Sequence, residues 1–569
     1  MDDALQRQLA ALTPAQRELF AALQARATPG PQPGQAAAAS YTPAAAQQRF
    51  WLLEQLQPGD PAHHVAGALQ LPAGIAARHL QQAIDALVAR HAALRTTFVA
   101  GPSGAPVAVV HAAGPVPLHC EDLTAAAPEL AAARLAELRA HNVTAPFVLD
   151  RPPLLRVMLV HLTTAAAQLL WCVHHIAADG LSMMVLADEL AHLYRQASGE
   201  ALPPLPPPPL QHADFAAWQA RREAAGEFAA DLAFWRRHLA DAPRTGLPHD
   251  RTVTADRLAG RDSLAVPAEL AQGLQRLAQH QGTTPFAAWL ALFVAALQRW
   301  TGDDDLTLGL PIGNRRHEAL QRAVGVFSNS VVLRCRPAAG ATFVQLLAQV
   351  AAAVRDAMAH GEVPIETLVR ELRPARELTA NPLFGVMFNY VDFVPDQLGP
   401  PHAPWRHDAT PAGTLLELSL YVRVQRRGIT LECEYDAHLH AAASVAARLA
   451  ELLQLLHGVL AAPGAPLATC PLLPAAALAW LQAREPGPAL PPGADHVVPW
   501  LHAAATAHAG RIAVADDLGA YTYAELQQAQ HSVATLLLAA GVQPGDHVGL
   551  ALPRDRRLPA ALLAVFAVG

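Results

Sequence analysis

The chain has 569 residues, 52% of them hydrophobic and 16% charged, with a formal net charge of −7. That length accommodates three or four domains at roughly 100–200 residues each. The apolar fraction excludes disorder as the main state, and the charge gives no basic surplus for nucleic acid. All 41 basic residues are arginine, which removes Schiff-base and phosphate-loop lysine chemistry from this chain.

Five cysteines (Cys120, Cys172, Cys335, Cys433, Cys470) are scattered, odd in number and without a CxxC pair. They argue against a disulfide framework or a zinc knuckle and for a reducing, cytoplasmic setting. Met1 is followed by Asp2 and Asp3 rather than by a basic and then apolar leader, so no signal peptide is expected. The longest apolar run, Pro285 to Leu297, is too short to span a bilayer and reads as a buried helix. No membrane association is expected.

In chain order, residues 4–27 carry apolar positions at helical spacing, with Thr13-Pro14 as a restart, and 28–40 read as a linker. A first unit, 41–208, mixes helices (Ala44–Leu56, Ile75–His91, Ala125–His141) with strands (Arg156–Leu162, Gln168–Ile176). The Pro-rich run Leu202 to Leu210 ends it in extended chain. A second unit, 209–470, has helices at 213–239, 267–281, 285–300 and 342–359 and strands near 305–311, 330–336 and 418–435. Residues 471–495 form a second Pro-rich linker. Residues 496–569 alternate strand and helix and stop inside an apolar helical pattern, as a truncated α/β piece would.

The most informative segment is Trp171-Cys172-Val173-His174-His175-Ile176-Ala177-Ala178-Asp179-Gly180. It follows a hairpin around Thr163-Thr164-Ala165 and leads into a helix with a Leu186, Leu190, Leu193 stripe. Neighbouring strand residues point to opposite faces, so only one of His174 and His175 can face a cleft. An imidazole at a strand end suits acid–base chemistry near neutral pH. Asp179 can hold the turn by pairing with an arginine, and Gly180 lets a bulky group approach closely. A metal site on HHxxxD is disfavoured, because the histidines diverge and no third ligand is evident. Half-buried framework histidines are the bland alternative, and spacing alone leaves both open.

HHIAADG matches the HHxxxDG signature of condensation domains of non-ribosomal peptide synthetases, within the chloramphenicol acetyltransferase-like superfamily. Other boxes follow in family order. Ala46 to Trp51 resembles AQxRxW, Arg90 to Phe98 resembles RHExLRTxF with Ala92 for the glutamate, and His212 to Trp218 resembles YxDYAxW with His212 for tyrosine. Pro311 to Arg315 is similar to PxxxR, Gly325 to Ser330 to GxFVNT, Val363 to Glu366 to VPFE, and Asn381 to Phe384 to NPLF. The likeness covers residues 41–470. Tyr521 to Leu526 resembles the LTYxEL box that opens adenylation domains, with Leu563 to Gly569 like the start of their second box. The adenylate-binding loop and lysine of such a domain are not in this chain, so amino-acid activation by it is not expected.

The resemblance implies an α/β fold of two acetyltransferase-like lobes in a V-shaped pseudo-dimer, with the lobe boundary at the Pro-rich break. It implies a tunnel where a donor acyl or peptidyl thioester meets the amine of an acceptor aminoacyl thioester. Both ride on phosphopantetheine arms of partner carrier proteins, or the donor arrives as acyl-CoA. No cofactor is expected in this chain itself, and the rest of an adenylation domain is expected as a neighbour. His175 carries over as the central residue, as proton acceptor or as orienting group. The motif also brings His174 as a framework residue, Asp179 as a structural anion and Gly180 as the opening. Arg315 is the first candidate to pair with Asp179 and Arg95 the second. Gln47, Asn329 and Trp218 are expected to pack the lobes. An epimerisation domain shares HHxxxDG, but RHxxLRTTF and the following adenylation start favour condensation. Heterocyclisation domains replace the histidines with aspartates. A non-catalytic docking platform usually loses the second histidine or the Asp-Gly. Met1 admits a starter domain taking a fatty acyl donor, and HHIAADGLSM is closer to the type that joins an L-configured donor to an L-amino acid.

Overall fold

The computed structural model describes residues 30–34, 39–71, 74–163, 166–250, 259–372, 381–392, 407–410, 413–425, 428–484, 497–517 and 519–569. The expected helix at 4–27, the hairpin tip at 164–165 and parts of both linkers (28–29, 35–38 and 485–495) lie outside them. The chain divides into two units, Met1–Pro474 and Ala475–Gly569.

The N-terminal half of the first unit is built on a five-stranded sheet. Strands β2 (His64–Leu71), β6 (Leu155–Thr163) and β7 (Ala166–His174) run antiparallel, and β5 (Leu118–Asp122) joins β6 in parallel. β7 is buried along Ala167–His174, because both of its faces are covered. Leu169, Trp171 and Val173 join the main lobe core, while Leu170 packs with Ala68, Leu123, Leu138 and Val160. Helices α1 (Ala45–Leu56), α2 (Ala77–Arg90), α3 (Pro128–Thr144) and α4 (Gly180–Ala197) complete the lobe, beside a small sheet of β1 (Ser40–Tyr41), β3 (Thr96–Ala100) and β4 (Pro106–Val110).

The C-terminal half carries a six-stranded mixed sheet in the order β10-β9-β11-β13-β14-β8. Its strands are β8 (Ala259–Val266), β9 (Leu306–Ile312), β10 (Asn329–Cys335), β11 (Val386–Val391), β13 (Leu418–Gln425) and β14 (Gly428–Asp436). β11 lies parallel to both β9 and β13. The segment expected as one helix at 213–239 is two, α5 (His212–Ala224) and α6 (Ala229–His238), broken at Gly226 with φ 70°. α7 (Ala268–His280) precedes α8 (Pro285–Thr301), the apolar run singled out from sequence. Thr284 caps α8 by accepting the Ala287 N–H, Pro285 opens it, and Gly302 closes it at φ 80°. All residues from Ala287 to Leu297 are buried. α9 (Phe343–Ala359), α10 (Ile365–Leu372) and α11 (Ala442–Ala461) follow. α11 is the one described helix long and apolar enough to cross a membrane. Its Val445, Leu449, Leu452, Leu455, Leu456 and Val459 are spent in the core of this lobe.

One strand departs from the expected division of the chain. β12 (His407–Thr410), from the C-terminal half, pairs antiparallel with β2 and forms the edge of the N-terminal sheet, with Ala409 opposite Gly67. A third, smaller core seats α5 between the halves: Phe215, Ala216 and Trp218 pack with Ala44, Leu210, Leu320, Ala323 and Phe327.

The second unit holds α12 (Ala475–Gln482), α13 (Val497–Ala507), α14 (Tyr523–Ala539), α15 (Arg557–Val568) and a two-stranded sheet of β15 (Ile512–Asp516) and β16 (Gly519–Thr522). Thr522 and Glu525 cap α14 reciprocally. Leu536, Leu538, Ile512 and Phe566 are exposed.

Packing of the C-terminal sheet is tight at Gly309, where an added methyl would stand 2.3 Å from the fully buried Phe384 ring. Gly309→Ala should cost about 1–3 kcal/mol by overpacking and lower Tm in a thermal melt; an unchanged Tm would mean that the ring yields freely.

Candidate functional site

β7 ends at His174, opposite His64 on β2. The His175 N–H continues the pairing one step further, to the His63 carbonyl at 2.7 Å. A turn then closes from the Ala177 N–H to the His174 carbonyl, 2.9 Å. Ile176, Ala177 and Ala178 are buried in the lobe core. Asp179 caps α4 by accepting the Ser182 N–H at 2.8 Å. HHIAADG is thus a strand, a tight turn and a helix start, anchored at both ends.

The anchor at Asp179 joins the two halves. Arg315 donates to its Oδ1 at 2.9 Å, and the Phe327 and Ser328 N–H groups donate to Oδ2 at 3.0 and 3.2 Å. The Asp179 N–H reaches the Gly325 carbonyl at 3.0 Å. Arg315 spends its other terminal nitrogen on the carbonyls of Leu320 and Ala323, both at 2.6 Å, and lies over the Phe327 ring. Burial pushes the Asp179 carboxyl up, but the Arg315 guanidinium, the Ser182 contacts and the Phe327 N–H outweigh it and hold it below its ordinary value. Arg95, the other candidate for this pair, donates instead to the His111 carbonyl.

The His175 ring is half-buried. It stacks on Phe50 of α1, with centroids 4.7 Å apart and planes at 20°. Nδ1 is enclosed without a hydrogen-bond partner among the described residues. Burial lowers the pKa to about 4; the Asp179 charge opposes this and the Arg49 charge reinforces it. The ring is therefore neutral at physiological pH. Arg49 lies over Phe50 and pairs with Glu366 at 3.1 Å, which ties α1 to α10 of the other half. Gly180 is exposed, has no positive φ, and an added methyl there would meet no protein atom within 4 Å. Neither packing nor backbone conformation requires this glycine, so what it provides is open space at the helix start.

His174 faces the other way and is fully buried. Its Nδ1 accepts the Ile176 N–H at 3.1 Å, which puts the proton of the neutral ring on Nε2, 3.5 Å from Glu54 Oε2. His63 Nδ1 lies 3.1 Å from the same oxygen. These three residues present ligand atoms within 4.8 Å of one another, so His174 does have two potential co-ligands that the motif alone does not reveal. A metal on His174 Nε2 would leave neither ring nitrogen its proton while Nδ1 already accepts one, whereas ligating histidines ordinarily donate from the second nitrogen. The trio fits a hydrogen-bonded carboxylate better than a cation site.

The remaining predicted residues surround this centre. Gln47 donates to the Ile176 carbonyl at 3.2 Å, holding the turn against α1. Asn329 accepts the Ile365 N–H and donates to the carbonyls of Gly361 and Val363, so it fixes the start of α10 that carries Glu366. Trp218 packs against Phe215, under the Arg222 guanidinium. Glu54 and His63 escaped the sequence reading, although Gln47, Phe50 and Glu54 are the buried positions of α1, and polar residues on a core stripe are a legible signal. A shallow hollow on α14, lined by Gln528, His531 and Thr535 among others, contains none of these groups.

A condensation-domain family profile matches residues 38–481, and an AMP-binding enzyme profile matches 501–569. Phosphinothricin tripeptide synthetase PhsC of Streptomyces viridochromogenes is 36% identical over 586 residues, covering 100% of this chain and 53% of that protein. The chain thus spans about half the length of this curated relative. The X-domain from teicoplanin biosynthesis matches with TM-score 0.67 at 28% identity, over 76% of this chain and 98% of that one. The first condensation domain of the calcium-dependent antibiotic synthetase, solved with a substrate analogue, gives TM-score 0.66 at 22% identity, over 76% and 99%.

Asp179→Ala would leave the Arg315 charge buried and unpaired, and should destabilise by about 3–5 kcal/mol in denaturant titration; a loss within 1 kcal/mol, roughly that of an exposed pair, would contradict the anchoring role. Burial also holds His64, His175, His212 and His440 at about 4. Unfolding raises them toward the ordinary histidine value, so the unfolded chain binds more protons between these limits. Stability is complete above roughly pH 6.5 and declines as pH falls toward 4. Calorimetric Tm should drop steadily across that window, and a flat profile would show that these rings are not desolvated.

Proposed function

Because the chain belongs to the condensation-domain family of non-ribosomal peptide synthetases, we propose that it forms an amide between a donor acyl or peptidyl thioester and the amine of an acceptor aminoacyl thioester. Domains of this family act as acyl or peptidyl transferases. In the step proposed here, the acceptor nitrogen attacks the donor carbonyl and the C–N bond forms. The C–S bond then breaks, the thiolate leaves with a proton, and the chain is transferred to the acceptor. The substrates ride on phosphopantetheine arms of upstream and downstream carrier proteins, and nothing in the reaction calls for a metal.

The observation that carries this reading is the intact strand–turn–helix of the motif, in which His175 is half-buried while its neighbour His174 is fully buried, and Gly180 leaves free space at the helix start. A ring held near 4 by desolvation is a weak base, so we assign it chiefly to accepting a hydrogen bond from the acceptor amine and orienting its lone pair. Fixing two tethered reactants in an attack geometry supplies more of the acceleration than proton transfer does. Asp179, Arg315 and His174 hold the frame without touching the reacting atoms.

A partner-recruiting platform is a second reading. It is favoured by the likeness to the teicoplanin X-domain, which has also been solved in complex with OxyB, at 28% identity. The intact His175, Asp179 and Gly180 arrangement favours catalysis. A starter domain with a fatty acyl donor is the same chemistry with a different donor.

Mass spectrometry of an aminoacyl carrier acceptor, with acyl-CoA, acyl-carrier and aminoacyl-carrier donors offered in parallel, tests the proposal. Product is expected with the native chain. His175→Ala should lower the rate by about 10²-fold and leave measurable turnover, while Gly180→Ala should keep the native Tm and lose turnover. No product with any donor would favour the platform; loss beyond about 10⁴-fold in His175→Ala would restore proton transfer as the main role.

A further inference from the structure

Glu54 is a carboxylate inside the N-terminal lobe, 7% exposed. Taking such a charge out of water costs several kcal/mol unless hydrogen bonds replace the water. Here two do: Oε1 accepts the Gly59 N–H at 2.6 Å and Oε2 pairs with His63 Nδ1 at 3.1 Å, while the protonated Nε2 of His174, enclosed and without a hydrogen bond of its own among the described residues, stands 3.5 Å from the same oxygen. Both rings are fully buried, with centroids 6.0 Å apart. A leucine at this helix position would pack more cheaply, so the carboxylate serves something besides burial.

Its partners indicate what. His63 precedes β2 and His174 ends β7, and both border His175. The His63 carbonyl receives the His175 N–H at 2.7 Å, and His174 is its chain neighbour. Phe50, one helical turn before Glu54 on α1, supplies the face on which the His175 ring stacks. One helix therefore sets the plane of the ring through Phe50 and the position of its backbone through Glu54.

We propose that Glu54 is a positioning residue, which pins His63 and His174 and, through the His63 carbonyl, fixes where the His175 imidazole projects. The kinetic consequence rests on the condensation reading above; the geometric one does not.

Glu54→Gln and Glu54→Ala in the full chain test it, with three readouts. These are steady-state condensation kinetics, thermal melts, and diethyl pyrocarbonate labelling of His63, His174 and His175 followed by mass spectrometry. Glu54→Gln keeps the shape and one acceptor, so it should fold with near-native Tm, lower kcat about 10-fold and leave the acceptor KM within about twofold. Glu54→Ala should lower kcat about 10²-fold. In Glu54→Ala, His63 and His174, shielded in the native protein, should become labelled, and in both variants the labelling rate of His175 should change. A folded Glu54→Gln variant with native kcat and native labelling overturns the proposal, as does a kcat loss accounted for wholly by unfolded protein. If the native chain makes no product, the condensation reading fails, and the labelling pattern alone decides. Altered labelling then sustains the positioning role and unaltered labelling ends it. Should Glu54→Ala fail to fold, Glu54→Gln carries the test.

Discussion

The buried Asp179 carboxylate is the constraint on which the site depends. It sits where two lobes meet, with Ser182 on its own helix and Arg315, Phe327 and Ser328 from the other half as donors. A buried ion loses far more when a partner is removed than the pair gains in the abstract, so the lobes have one low-energy way to meet here. The rest follows as a closed circuit. The segment that donates to Asp179 continues into Asn329, and Asn329 holds the start of α10. Glu366 on α10 pairs with Arg49, which lies over Phe50, and Phe50 stacks on His175. The His175 ring is held by a stack on Phe50 from its own lobe, which the other lobe braces through Glu366 and Arg49.

Much of this was legible in the residues. HHIAADG reads as strand, turn and helix start, and that is what forms. Arg315 is the arginine at Asp179, and the long apolar stretch at Pro285 is the buried α8. Alternation along a strand separates His174 from His175, and the structure puts the first fully in the core and leaves the second half-buried. Where reasoning stopped short, contacts distant in sequence decide. Arg95 has the right charge for Asp179, but the backbone places it beside the His111 carbonyl. The helix expected over 213–239 breaks because Gly226 adopts a left-handed turn that periodicity does not register. β12 is four residues long, and an edge strand that short carries too little alternation to be seen.

Glu54 and His63 belong to no box with an evident role, yet they form the polar interior behind the motif. The signal lay in a mismatch of levels: Gln47 and Glu54 occupy positions where the periodicity of α1 calls for apolar side chains. Local rules broken without visible compensation mark sites under functional demand. For Glu54 the compensation is the hydrogen bond to His63 and the adjacent His174 ring, which only the fold brings within reach.

The edge strand His407–Thr410 has a consequence for recombination. Residues from the later half of the chain complete the sheet of the earlier half, so no single cut separates the lobes cleanly. A chimera that exchanges everything after residue 208 also replaces the outermost backbone partner of β2, the strand that begins beside His63 and His175. Donor sequences for such an exchange must match the recipient at Ala66 to Leu69 as well as at the seam, or the graft will loosen the strand that backs His175.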